Sequence, residues 1–184
     1  MGIKLSREQE KLFETLLFLI KLLIFAIPLY FVLNFQGILL PLQEVVSQNV
    51  YFVLKSLGFE VLRVDFLLRV DEIAFFISED CTGWKSMLFL AALMFAVPGV
   101  LMKKRLLGLA VGIPIIYVGN LLRILIMVFI WEAYGYEFAM LMHGYFWQFG
   151  LISLVLIVWV SWLVWAGKVK ITFLKRLHKL IKPR

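Results

Sequence analysis

The stretch Glu79-Asp80-Cys81-Thr82-Gly83-Trp84-Lys85-Ser86 runs straight into Met87-Leu88-Phe89-Leu90-Ala91-Ala92-Leu93-Met94-Phe95-Ala96-Val97. An apolar run of this kind predicts a helix that crosses a bilayer, with a thiol waiting at its mouth. The rest of the chain agrees. Hydrophobic residues make up 63% of it, against about one half in an ordinary soluble domain. The chain therefore reads as an α-helical, polytopic membrane protein, a single domain over residues 1–184. That length holds roughly four to six helices of about 20 residues, plus one small exposed region.

Working outward, Ser6 followed by Gln9 forms a capping box that opens a helix running through Leu16 to about Phe35, with Lys21 and Pro28 inside it. This is the first span, residues 12–35. The mixed charge of the N-terminus, with no small-residue cleavage site behind that run, marks an anchor rather than a cleaved signal peptide. Between Pro41 and Leu57, Val46, Val50, Val53, Leu54 and Leu57 recur at helical spacing before Gly58. That pattern predicts an amphipathic helix lying on the outer face.

From Phe59 to Ser78 the period changes. Leu62, Val64 and Phe66 alternate with Arg63 and Asp65, and Ile73-Ala74-Phe75-Phe76-Ile77 follows an Asp71-Glu72 break. A short β-hairpin is expected there, although no Asn-Gly turn marks it. Three further spans follow, at residues 84–102, 106–131 and 144–165, and a basic tail at 167–184. Residues 41–80 form the outer segment. Gly108 and Gly112 make a small-xxx-small face, expected to serve close helix packing within the bundle rather than dimerisation.

The formal charge of +7 is segregated by side rather than gathered into a nucleic-acid patch. With the N-terminus in the cytoplasm, thirteen of the nineteen cations fall inside, Lys103, Lys104 and Arg105 among them. Nine of the twelve acids fall outside. The positive-inside rule thus predicts a multi-pass cell-membrane protein with both termini cytoplasmic and no nucleic-acid partner. The tail, with Ile171, Leu174, Leu177, Leu180 and Ile181 between its cations, is expected to lie on the anionic inner leaflet.

Helix rise places the polar residues. Cys81 precedes Lys103 by 22 residues, roughly 33 Å along a helix. Arg123 follows Arg105 by 18, roughly 27 Å. His143 precedes Lys168 by 25, roughly 37 Å. A thiol, a guanidinium and an imidazole are therefore expected at similar depth on the outer side.

Each has a plainer explanation. A lone cysteine is most often a small hydrophobe, Arg123 could snorkel to the interface, and His143 could be a polar residue beside an aromatic belt. Against this, Cys81 stands at a helix start before Gly83, where backbone N–H groups favour a thiolate, and Lys85 adds a cation. A charge inside a membrane costs at least ~2.5 kcal/mol and is usually kept for a task. Asn120, one turn before Arg123, could hold it. Lys21 and His178 take no part. Trp84, Trp131, Tyr134, Tyr136, Tyr145 and Trp147 read as interfacial anchors.

Cysteine with histidine supplies a nucleophile and a proton-transfer partner, and arginine a stabiliser for a developing oxyanion. The chemistry implied is acyl transfer at the outer membrane surface. No Gly-x-Ser-x-Gly elbow offers a serine instead. A single cysteine leaves no internal disulfide, redox pair or zinc-thiolate cluster, and neither a metal nor a cofactor is expected.

Taken in order, Cys81-Thr82-Gly83 entering one span, Gly119-Asn120-Leu121-Leu122-Arg123-Ile124 in the next and His143 opening the last resemble the exosortase/archaeosortase family. The resemblance covers roughly Phe59 to Trp165. It implies a membrane cysteine transpeptidase, with Cys81 as nucleophile, Arg123 stabilising the tetrahedral intermediate and His143 as acid/base. Thr82, Gly83 and Asn120 would support them. Its implied partners are secreted proteins ending in a short motif, a transmembrane helix and a basic cluster. The new carboxyl terminus would pass to a membrane lipid or another acceptor. Thr82 stands where the family often has serine, some archaeal members carry arginine at the histidine position, and many relatives have more spans. The competing reading is a non-enzymatic membrane assembly or transport accessory subunit.

Overall fold

A computed structural model describes residues 7–35, 37–71, 73–145 and 149–167. Ser6 of the expected capping box, Trp147 and the basic tail from residue 168 onward lie outside the described residues, as does the side chain of Tyr145.

The first apolar run forms two helices, α1 (Arg7–Ile24) and α2 (Ala26–Asn34), rather than one. Pro28 accounts for the break at Phe25. It has no N–H for the carbonyl of Ile24, and its ring crowds that carbonyl. The stretch Leu12–Asn34 is still long and apolar enough to cross a membrane, and none of it is buried inside the protein.

Next comes α3 (Leu40–Ser56), with Pro41 in its first turn, where a missing N–H costs nothing. It turns Val46, Val50 and Leu54 inward, together with two polar residues, Gln43 and Ser47.

The segment before the cysteine is a meander of three strands, not a two-stranded hairpin: β1 (Val61–Val64), β2 (Leu67–Val70) and β3 (Ile73–Phe76), antiparallel in that order. Val64 pairs with Leu67 and Val70 with Ile73, so both connections are two residues long. Asp65 and Asp71 adopt φ of 52° and 50° in them. Aspartate thus fills the left-handed position that the absent Asn-Gly would have marked.

A 3₁₀ turn, Glu79–Thr82, then leads into α4 (Trp84–Ala96). This helix is shorter than the expected span to residue 102. Val97 precedes Pro98 and takes ψ 121°, as a residue before proline must. Arg105 closes this helix end, donating to the carbonyls of Phe95 at 3.0 Å and Val97 at 2.8 Å.

The central element is α5 (Met102–Tyr134), followed by the short α6 (Tyr136–Tyr145) and by α7 (Leu151–Trp165). Among the described residues, Leu12–Asn34 and Met102–Tyr134 are the helices long and apolar enough to span a bilayer. Two of the four expected spans, α4 and α7, are shorter apolar helices.

Two cores share α5. Toward its start, Ile116 packs with Leu90, Met94, Val155 and Trp162 of α4 and α7. Gly108 and Gly112 allow this close approach: a Cβ at Gly108 would overlap the Trp162 indole, and one at Gly112 would meet Leu90 at 2.7 Å. Their expected role in packing within the bundle is what is found. Toward its end, Ile124, Leu125 and Val128 pack with Val46, Val50 and Leu54 of α3 and with Leu68, Val70 and Ile77.

Candidate active site

Cys81 sits in the 3₁₀ turn, three residues ahead of α4, rather than in the first turn of a helix. Its N–H already donates to the Ser78 carbonyl at 2.9 Å. The helix-dipole argument from sequence therefore loses its geometry. Lys85 is also engaged, its Nζ lying 2.6 Å from Asp80 Oδ1, so its charge is paired with the carboxylate next to the cysteine.

What does reach the thiol is a hydroxyl. Ser78 Oγ lies 3.3 Å from Cys81 Sγ, within hydrogen-bond reach for sulfur. Sequence reasoning passed over Ser78. The signal was its position three residues before the cysteine, where one turn of 3₁₀ helix superposes side chains.

The turn is held by its own Thr82 and by side chains of α5 and α3. Thr82 Oγ donates to the Glu79 carbonyl at 2.7 Å and is fully buried. Asn120 Nδ2 donates to the Cys81 carbonyl at 2.6 Å. Gln43 of α3, 3% exposed, donates to the Ile77 carbonyl at 2.5 Å, just before Ser78. Ser47, one turn on, donates to the Asp65 carbonyl at 2.9 Å and anchors the first strand connection.

Gly83 joins the turn to α4 with φ of 78°, and a Cβ there would meet Asn120 Cγ at 3.0 Å. Only glycine suits both demands. Asn120, expected beside Arg123, thus serves the cysteine's backbone.

Arg123 lies one turn further along α5 and is 5% exposed. It does not snorkel to the protein surface. Its guanidinium faces a cavity and interacts electrostatically with Cys81 and, to a smaller extent, Asp80.

His143 lies in the last turn of α6, half-buried, and not at the opening of α7 as expected. It stands outside both spanning helices. Burial first, and the charge of Arg123 second, hold its imidazole below the ordinary value, so it is neutral near pH 7.

Cys81, Arg123 and His143 all line one cavity of about 280 Å³. Its remaining walls come from Phe75 to Ser78, from Met127 and Trp131 of α5, and from Ala139 and Met140 of α6. Trp131 is therefore a cavity wall as well as a candidate anchor, and Trp84, 7% exposed, is buried rather than interfacial. Tyr134 and Tyr136 are exposed. The depth argument counted a continuous helix from Cys81 to Lys103 that is not present, yet the three side chains line one cavity because the 3₁₀ turn and α6 both pack against α5.

No curated protein matches the chain, and no solved structure matches it. A family model described as "Transmembrane exosortase (Exosortase_EpsH)" matches residues 1–168. With apolar helices long enough to span a bilayer and a match over nearly its whole length, the chain belongs to the transmembrane exosortase family and is a membrane protein.

Proposed function

We propose that this exosortase is a cysteine transpeptidase that cleaves the C-terminal sorting signal of secreted surface proteins at the outer membrane face. The observation that carries the reading is the single cavity shared by Cys81, Arg123 and His143.

The chemistry follows from those groups. Neutral His143 accepts the thiol proton, and the Cys81 sulfur attacks the scissile carbonyl carbon. Negative charge develops on the carbonyl oxygen, and the Arg123 guanidinium offers it N–H donors. Collapse breaks the C–N bond as His143 returns its proton to the departing amine nitrogen, leaving a thioester on Cys81. An acceptor hydroxyl, from a lipid or from water, then attacks the thioester. It gives its proton to His143, and the sulfur leaves as thiolate to be reprotonated.

In this reading both termini are cytoplasmic, the cavity opens outward, and partners end in a short motif, a transmembrane helix and a basic cluster. The apolar walls favour the reading, since excluded water strengthens the guanidinium's hold on the oxyanion.

Processing of a tagged surface protein bearing such a tail tests it. Cys81→Ala should abolish cleavage at unchanged protein level, and Arg123→Lys, which keeps charge but loses the planar fork, should reduce it strongly. Cleavage by Cys81→Ala at the wild-type rate would sink the proposal.

A further inference from the structure

The two edges of the sheet are treated differently. On β1, Arg63 shares the face of buried Leu68 and is held to Glu44 of α3 at 2.7 Å. An inward charge of this kind discourages a strand edge from pairing with another chain. On the other edge, Ile73-Ala74-Phe75-Phe76 carries neither charge nor proline.

Register fixes which backbone groups that edge presents. Val70 and Ile73 close a two-residue connection, so Ile73 and Phe75 turn their N–H and C=O toward β2. Ile77 continues the alternation, donating to the Phe66 carbonyl at 2.9 Å. Ala74 and Phe76 therefore present theirs to the open side. Both residues are exposed, and among the described residues these backbone groups have no hydrogen-bond partner.

This open edge leads into the candidate active site. Phe75, Phe76, Ile77, Ser78 and Cys81 succeed one another along the same cavity wall. A scissile peptide bond cannot be attacked while its carbonyl and N–H are locked in a helix, so the substrate must be extended where it meets the thiol.

Resting on the transpeptidase reading above, we propose that β3 is a docking strand. One extended polypeptide segment of the substrate, immediately outside the membrane, adds to it as a fourth strand and pairs with Ala74 and Phe76. Main-chain bonds supply the hold, as in other strand additions, and alternate side chains supply the choice. Those that turn toward the cavity meet Met127, Trp131 and Met140, so apolar residues are selected there.

The test uses reporters carrying tails of the source organism's own secreted proteins that end in an apolar span and a basic cluster. Ala74→Pro removes an N–H that the internal ladder does not use. It should lower cleavage about tenfold, the worth of roughly one to two net hydrogen bonds. Val61→Pro places the same change on the far edge and should stay within about twofold, since an edge strand's first residue tolerates proline.

Equal alkylation of Cys81 by a membrane-impermeant maleimide in wild type and Ala74→Pro checks that the fold survives. Independently, amide exchange at Ala74 and Phe76 in the Cys81→Ala protein should slow about tenfold or more when a synthetic peptide of the cleaved tail is added. Unchanged cleavage by Ala74→Pro, or unchanged exchange with a peptide the wild type cleaves, overturns strand addition and leaves the transpeptidase reading standing. If the wild type cleaves no tail, both fall.

Discussion

Asn120 donates its side-chain N–H to the backbone carbonyl of Cys81 across 2.6 Å, from a fully buried position on the helix that also carries Arg123. One turn of α5 therefore fixes both the cysteine's main chain and the guanidinium beside it. Thiol and arginine are thus tied to one helix, Arg123 by its place on it and Cys81 through this bond.

Replacing Asn120 with leucine keeps the volume and removes the donor. A buried carbonyl left unpartnered costs about 1–3 kcal/mol. Cleavage should fall about tenfold or more with protein still in the membrane, and Cys81 should alkylate at an altered rate. Wild-type rates in both assays would mean that the contact does not position the nucleophile.

Gly83→Ala should be damaging for two separable reasons. The left-handed backbone costs roughly 1–2 kcal/mol for a residue with a Cβ, and that Cβ meets Asn120 at 3.0 Å. A lower thermal midpoint in detergent is expected. Pairing it with Asn120→Ala should cost less than the sum of the two single changes, because both disturb the same contact and the hydrogen bond to the Cys81 carbonyl is lost only once.

Little of this was hidden in the sequence, and the reasons for what was differ. Apolar runs exposed Leu12–Asn34 and Met102–Tyr134, since hydropathy is additive along a segment. Their ends were misjudged at Phe25 and Ala96, where Pro28 and Pro98 act through backbone geometry that a hydropathy count ignores. The third strand was lost because aspartate, not glycine, takes the turn positions at Asp65 and Asp71. Cys81, Arg123 and His143 stood out by residue type and depth, and the fold lines one cavity with all three. Ser78 and Gln43 were not, because each works through a contact that only the folded strand and turn create.

Gly108→Val should destabilise the bundle, because the added carbons overlap the Trp162 indole. Overpacking of this kind costs roughly 1–3 kcal/mol. Thermal unfolding in detergent should shift downward with no change in oligomeric state. A shift in oligomeric state at unchanged stability would assign the glycine face to contacts between copies.

The pH profile follows from His143. Its folded value is depressed, so the neutral, proton-accepting form persists as the pH is lowered and is lost only on passing through that depressed value. The acid limb of cleavage should therefore lie below the ordinary imidazole value of about 6.5. His143→Ala should remove the limb along with most of the activity. A limb above that value would place a different group in the proton-transfer role.

The most direct measurement is the covalent intermediate. A substrate tail incubated with the purified membrane enzyme, quenched in acid and digested, should yield a Cys81 peptide carrying the upstream substrate fragment as a thioester. That adduct should disappear with hydroxylamine and be absent from Cys81→Ala. Accumulating cleavage product with an unmodified Cys81 throughout the time course would contradict the account.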